Sequence, residues 1–418
     1  MKRLLLYLIP LLLLAGCRQP EIEYVDFETF TPFSITYSRV FMEDGSLNPE
    51  IRMFDDGNIL RDSISGDPGK RRIASTSVAD LFRNLLGANT TNSLVQVAGT
   101  YMGHDIDGSP LLQSGKIIMP RNGKIKNIII VSHYTIGANY ECPSETFPVE
   151  AMLASKGYAM IFADYIGFGI TQDRVHPYLH APSTARSVVD MSMASIAYIK
   201  AMGREVEDEK VILLGYSQGG ATTLAVMNLL QKEYSEKIKI KRVYAGAGPY
   251  DLTATYDFSM SNDQTGIPCA IPMIVQGISE GEKLNLKMAD FFQPKLLDNY
   301  HMWINSKLFT VHEINELIDV TRLSEIMTAE GCNKKSTQTA RLYNALMRNS
   351  VLRFSPKAPM YLFHSREDDT VPFINSEKAT EKFKGKDVRY NFGFYGNHMS
   401  GFLKFIGAVS NELDSQAL

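Results

Sequence analysis

The sequence predicts an α/β protein: a mostly parallel sheet covered by helices on both faces, with a helical insertion before its last two strands. Three observations carry this. Short apolar runs such as Ile128–Val131 alternate with helical patterns between residues 128 and 246, the rhythm of strand–helix–strand units that bury a sheet on both faces. From about 250 to 355 the rhythm breaks into helical patterns alone, and then it resumes. A glycine-rich turn, Gly215–Gly220, falls between a strand and a helix.

Taken in order, Leu94–His104 and Leu111–Met119 read as strands joined by a turn at Asp107-Gly108. Asn122-Gly123 turns the chain into the strand Ile128–Val131. A helix over Val149–Ser155, a strand over Tyr158–Asp164 and a long helix over Ser183–Ala201 follow. Next come a strand Lys210–Leu214, a helix Gly219–Gln231 and a strand Ile240–Gly246. The insertion reads as helices at Lys287–Phe292, His312–Asp319, Leu323–Thr328 and Thr337–Asn349. The chain closes with a strand Ala358–His364, a helix near Phe373–Phe383, a strand Val388–Phe394 and a helix Ser400–Leu413. The organisation implied is a core in two parts, 94–249 and 356–418, with a helical cap at 250–355. Residues 18 to about 35 read as a tether. The rest of 17–93 reads as an N-terminal extension with turns at Asp44-Gly45 and Asp56-Gly57 and a short helix over Ser77–Leu86; no chemistry attaches to it. A chain of 418 residues exceeds one average domain, yet one α/β unit with an insertion accounts for it as well as two domains do.

The net charge of −3 leaves no excess of Lys and Arg for a nucleic-acid surface. The short basic runs Lys70–Arg72 and Lys237–Arg242 read as solvated faces, so nucleic acid is excluded as a partner. Residues 1–16 stand outside the fold. Lys2 and Arg3 precede the apolar run Leu4–Leu14, which is too short to span a bilayer and has the make-up of an export signal. Leu14-Ala15-Gly16-Cys17 ends it and resembles the lipobox of bacterial lipoproteins. That resemblance implies acylation of Cys17 and a membrane anchor, each buried CH₂ contributing about 0.8 kcal/mol. Arg18 stands where an inner-membrane retention signal has Asp, which favours the outer membrane or cell surface, with a periplasmic orientation as the other option. The plainer alternative is an ordinary secretory signal with a chance cysteine. Cys142, Cys269 and Cys332 remain, an odd number with no metal-binding spacing.

Gly215-Tyr216-Ser217-Gln218-Gly219-Gly220 sits between strand and helix, the setting that exposes a nucleophilic serine on a strained turn. A serine hydroxyl is weak at its own pKa and needs a base, and the base needs an orienter. His398 follows the last strand and is the last histidine in the chain, which makes it the base. The acid lies in His364-Ser365-Arg366-Glu367-Asp368-Asp369-Thr370-Val371-Pro372, where Asp368 is the choice and Asp369 the neighbour it competes with; either could instead cap a helix. Gln218, after the serine, offers one amide to an oxyanion. The loop after Val131-Ser132 is the place for a second: His133-Tyr134-Thr135-Ile136-Gly137 resembles the H-G-T segment of many hydrolases, with Tyr134 in place of the glycine, which implies Thr135 as the donor unless this is an ordinary strand-to-helix loop. His104, His133, His176, His180, His301, His312 and His364 read as loop, turn or packing residues.

These segments resemble the α/β hydrolases. The acid segment is similar to their H-G-x-x-D-x-x-V-P pattern, which selects Asp368, although Ser365 replaces the glycine. Asp164-Tyr165-Ile166-Gly167-Phe168-Gly169, His176-Pro177-Tyr178-Leu179 and the serine turn together resemble the secretory lipases, of which fungal lipase A enzymes are members. The likeness runs over roughly 94–418. It implies a Ser–Asp–His triad, an acyl-enzyme mechanism with no metal or organic cofactor, and a small-molecule ester with an apolar acyl group as substrate. It also implies a disulfide between Cys142 and Cys269 that leaves Cys332 free; three reduced, buried thiols are the alternative. The run Ile267–Val275 could line an acyl pocket or pack the cap onto the core, the latter being the commoner use of such residues. A serine peptidase would use the same triad, but the sequence lacks propeller repeats and an acidic pair for a peptide amine. A catalytically dead, surface-anchored binding protein would not need serine, acid and histidine in order.

Overall fold

A computed structural model describes residues 27–48, 51 and 52, Arg83, Leu86 and 91–415. Cys17, the turn at Asp56-Gly57 and all but two residues of the expected helix Ser77–Leu86 lie outside these. The strands are β1 (Phe30–Arg39), β2 (Ile51–Arg52), β3 (Ser93–His104), β4 (Pro110–Pro120), β5 (Ile128–Ser132), β6 (Phe147–Pro148), β7 (Ala159–Ala163), β8 (Val211–Tyr216), β9 (Ile240–Gly246), β10 (Met360–Ser365) and β11 (Val388–Gly393). Nine of them form one sheet in the order β1-β3-β4-β7-β5-β8-β9-β10-β11, while β2 and β6 pair with each other. From β7 to β11 the pairing is parallel; β1, β3 and β4 join it antiparallel.

The tether expected up to residue 35 is therefore interrupted by a strand. Phe30–Arg39 pairs along β3 and drops the Phe30 ring into the core beside Tyr101. The period-two signal was hidden because β1 is an edge strand, exposed along most of its length.

The principal helices are α1 (Ala181–Ala201), α2 (Gln218–Glu233), α3 (Leu252–Asn262), α4 (Ala270–Gly281), α5 (Val311–Ile318), α6 (Thr337–Asn349), α7 (Ile374–Lys382) and α8 (His398–Ser415). In β8, Leu213 faces a cluster containing Val188 and Met191 of α1 and Leu224 and Met227 of α2. Its neighbours Ile212 and Leu214 face the opposite cluster, with Phe402, Phe405 and Val409 of α8. Two apolar faces on one strand produce the unbroken apolar run seen in the sequence. This arrangement is the α/β-hydrolase fold.

Between β9 and β10 the chain is helical and has its own core, which includes Met273, Ile278, Phe291, Phe292, Ile314 and Leu346. The helices expected at Lys287–Phe292 and Leu323–Thr328 shrink to single 3₁₀ turns, Met288–Asp290 and Leu323–Glu325. Their flanks pair with each other instead, Thr328 N donating to Phe291 O at 2.9 Å and Gln293 N to Ile326 O at 2.8 Å. Two helices were hidden in the sequence. Polar residues fill α3, but Asp251 caps it by accepting from the amides of Thr253 and Ala254. Pro272 and two glycines obscured α4, although a proline in the first turn removes no helical hydrogen bond.

The expected helix Val149–Ser155 is a 3₁₀ helix, Val149–Lys156, and it buries an acid. Glu150 is 2% exposed, and neither carboxyl oxygen has a hydrogen-bond partner among the described residues. Burial raises its pKa from 4.5 to about 7. The folded chain thus holds this proton more tightly than the unfolded chain. The stability this represents is complete below about 4.5 and lost as pH rises through about 7. Glu150→Gln should therefore exceed the parent by about 3 kcal/mol in urea unfolding at pH 8, and by little at pH 4. Equal differences at both pH values would refute the ionisation.

Candidate active site

The strained turn comes first. Ser217 joins β8 to α2 with φ 58° and ψ −126°, a conformation that costs a non-glycine residue about 1–3 kcal/mol. Its amide is tied to Gly246 O at 2.9 Å, and the side chain is 8% exposed. Glycine at 219 is a matter of space: a Cβ there would lie 2.0 Å from the Ser132 carbonyl oxygen. This close approach brings the start of α2, with its unpaired amides, against the loop that follows β5.

The acid and base meet at the same edge of the sheet, where the parallel strands end. Asp368 follows β10, and His398 opens α8. His398 Nδ1 is 2.6 Å from Asp368 Oδ2, while Asp368 Oδ1 accepts from the amides of Thr370 (2.9 Å) and Val371 (2.7 Å). Burial by itself would raise this carboxyl, but His398 and His364 beside it hold it well below the usual carboxylate range. Asp369 is placed differently: its Oδ1 accepts from the His398 main-chain amide at 3.2 Å and does not meet the ring. The His398 carbonyl accepts from the Tyr216 hydroxyl at 2.8 Å, which seats the histidine beside the residue preceding Ser217.

Gln218 and Thr135 line one cavity with Ser217, Asp368 and Asp369. The Thr135 hydroxyl is 2.7 Å from the Tyr178 hydroxyl. His133, buried and stacked on Tyr165 at 3.8 Å, has its pKa lowered by burial to about 4, so it packs as a neutral ring.

Two histidines that read as loop or packing residues touch the site. His176 Nδ1 is 2.7 Å from Ile166 O, so it carries the proton. Nε2 is then an acceptor, and it lies 3.1 Å from the Gln218 side-chain nitrogen. The glycines of the Asp164–Gly169 segment make this possible. Gly167 has φ +96°, and a Cβ on it would fall 2.6 Å from the His176 Cα. The other residue is His364, on Asp368. His176 reaches the site across the fold, 42 residues from Gln218, whereas His364 stands four residues before Asp368 in the acid segment itself.

The cavity measures about 860 Å³, within the usual range for a small-molecule site. Helix α4 divides the run Ile267–Val275 between the two expected uses. Ile271 and Ile274, with Ile267 just before the helix, line the cavity, whereas Met273 and Val275 pack into the cap. Asn262, Gln264, Arg366 and Glu377 make other parts of the wall polar.

The Cys142–Cys269 disulfide is absent. Cys142 packs with Ile136 and Phe168 with its Sγ 3.4 Å from Ser144 Oγ, whereas Cys269 is buried in the cap core with its Sγ 3.9 Å from Val311 O. The two thiols belong to different clusters, and burial pushes the Cys142 thiol up. Among the described residues no three His, Cys, Asp or Glu side chains converge as a metal site needs, and no helix is long and apolar enough to cross a membrane.

The family model for secretory lipases matches residues 137–409, from the loop after β5 into α8. The chain belongs to the secretory lipase family. Among solved structures this chain is similar to the rice cell wall degrading esterase LipA from Xanthomonas oryzae. The identity is 22%, over 81% of this chain and 95% of that one, with a TM-score of 0.68. A ligand-bound form of that esterase matches 94% of this chain and 100% of its own at 19% identity and TM-score 0.72. Candida antarctica lipase A matches over 73% of each chain at 15% identity and TM-score 0.55. At these identities the likeness speaks to the fold. A search of curated protein sequences returns no match.

Proposed function

We propose that this secretory lipase family member hydrolyses carboxylic esters through an acyl-enzyme, with Ser217, His398 and Asp368 as its triad. The observation that carries this is the 2.6 Å contact of Asp368 with His398 Nδ1 at the edge of the sheet that holds Ser217 in its strained turn. A carboxylate accepts only, so Nδ1 keeps its proton and Nε2 is left basic. Ser217 Oγ attacks the acyl carbon while Nε2 takes its proton. The amides of Gln218 and Thr135 bind the oxyanion, and the proton passes to the departing alcohol. Water then repeats the sequence and frees the acid. The lipobox supports an exported protein anchored through acylated Cys17 at the outer membrane or cell surface.

The test is turnover of p-nitrophenyl esters of increasing chain length beside an aminoacyl nitroanilide. Ester turnover with fluorophosphonate labelling of Ser217 supports the reading. Preferential anilide cleavage would make the protein a peptidase, and neither turnover nor labelling would make it a binding protein.

The Ile267–Ile271–Ile274 wall is assigned to the acyl chain. Ile271→Trp should cut kcat/KM for an octanoyl ester by about tenfold relative to the acetyl ester. An unchanged ratio would place the acyl chain elsewhere.

A further inference from the structure

We infer that His364 is a positioning residue for the reaction proposed above, fixing the charge and proton arrangement of the Asp368–His398 pair from behind. The inference rests on the triad reading. His364 lies in β10 with 0% exposure and takes no part in the mechanism as written. Its Nε2 is 3.2 Å from Asp368 Oδ2, the same oxygen that meets His398 Nδ1 at 2.6 Å. Nε2 is also 3.1 Å from the Val371 carbonyl oxygen. Both neighbours of Nε2 are acceptors, so Nε2 carries a proton. Nδ1 is then the acceptor, and it faces the Ser376 hydroxyl of α7 at 2.7 Å. The two acceptors at Nε2 thereby set the tautomer of His364, and the Ser376 hydroxyl donates to the Nδ1 left over.

The carboxylate consequently has two amides on Oδ1 and, on Oδ2, the His398 ring at 2.6 Å with the His364 Nε2–H, shared with the Val371 carbonyl, at 3.2 Å. The Asp368 side chain is shielded from water, so these groups replace its hydration. Removing His364's donor leaves the charge on Oδ2 to His398 alone. A charged imidazole at 398 is then held more tightly than in the parent, and the acidic limb of the kcat/KM profile moves to higher pH. The other ionisable groups facing this pair are Asp369 and Glu367 on the same loop, Arg366 over the Phe373 ring, and the Tyr216 hydroxyl of β8. None of them donates to Oδ2.

A residue that merely packed the β10 loop would lower stability without moving the pH profile. His364→Leu should lower kcat by about 10- to 100-fold with KM nearly unchanged, and shift the acidic limb upward. His364→Gln, which can return an N–H to the Nε2 position, should recover most of that activity. If the Gln variant is as impaired as the Leu variant, or the Leu variant matches the parent, the inference fails. Should His364→Leu not fold, His364→Phe decides, because it keeps a ring in that buried place and removes the N–H that faces Oδ2. A shifted acidic limb supports the role, and an unshifted one overturns it. Fluorophosphonate labelling of Ser217 in the parent separates this from the triad itself: no labelling sinks the triad, whereas labelling with an inert His364 sinks only the present inference.

Discussion

Ser217→Ala is expected to lose about 10⁴- to 10⁶-fold in kcat while the fold persists. The loss is large because the alanine leaves the base, its orienter and the amides in place with no atom to acylate. Persistence of the fold follows from the side chain's surroundings. Among the described residues no hydrogen bond holds the turn through Oγ; the turn is tied by the amide of Ser217 to Gly246 O and by the amides of Gly220 and Ala221 to Ser217 O. Alanine inherits the strain of φ 58°, so its stability should stay near that of the parent. Glycine would not inherit it. Ser217→Gly should be equally inactive yet more stable by about 1 kcal/mol, since glycine adopts positive φ freely. Comparing kcat and urea midpoints for the two variants checks both halves. A parent-like kcat in either variant would remove Ser217 from the chemistry. A glycine variant no more stable than the alanine variant would mean that the turn stores no strain.

How much of this was legible in the sequence depends on whether a feature is local. The central parallel strands were read to within a few residues, because burial on both faces makes a strand apolar throughout: Ile128–Val131 needed one residue added. The turn around Ser217 was legible because a tight turn needs small residues at fixed offsets. Long-range pairing was not. Edge strand β1 carries its register in β3, sixty residues on, and not in its own alternation. The meaning of His176 lies in what stands opposite it, Gln218, and His364, although it is local to Asp368, gains its meaning from the turn of its ring onto that carboxylate. The disulfide followed from family resemblance alone, and two cysteines suited to a bond settled in separate apolar clusters. For Ile267–Val275 the question offered two answers where a helix, having two faces, allowed both.

Asp368→Asn should cost about 10⁴-fold in kcat, by moving a proton rather than by breaking the site. Oδ1 of Asp368 faces two donors, the amides of Thr370 and Val371, and only an oxygen can satisfy them. An asparagine must therefore keep its carbonyl there and turn its NH₂ to the Oδ2 position. That group donates where the carboxylate accepted, so His398 Nδ1 must accept and its proton goes to Nε2. The ring stays in place, yet the nitrogen required to take the serine proton already holds one. Asp369→Asn makes a sharp contrast. Its Oδ1 accepts only from the His398 main-chain amide and the Thr370 hydroxyl, at 3.2 and 3.3 Å. An asparagine oxygen can do the same, and the change should cost no more than about threefold, the scale of a surface substitution. The carboxyl of Asp368, held far below the usual range, stays ionised at any pH where the enzyme is assayed. The acidic limb of the parent's profile should therefore carry no step from Asp368. Steady-state kinetics on one p-nitrophenyl ester between pH 4 and 9 would test the pair. A deep loss in Asp369→Asn with near-normal rates in Asp368→Asn would shift the triad by one residue.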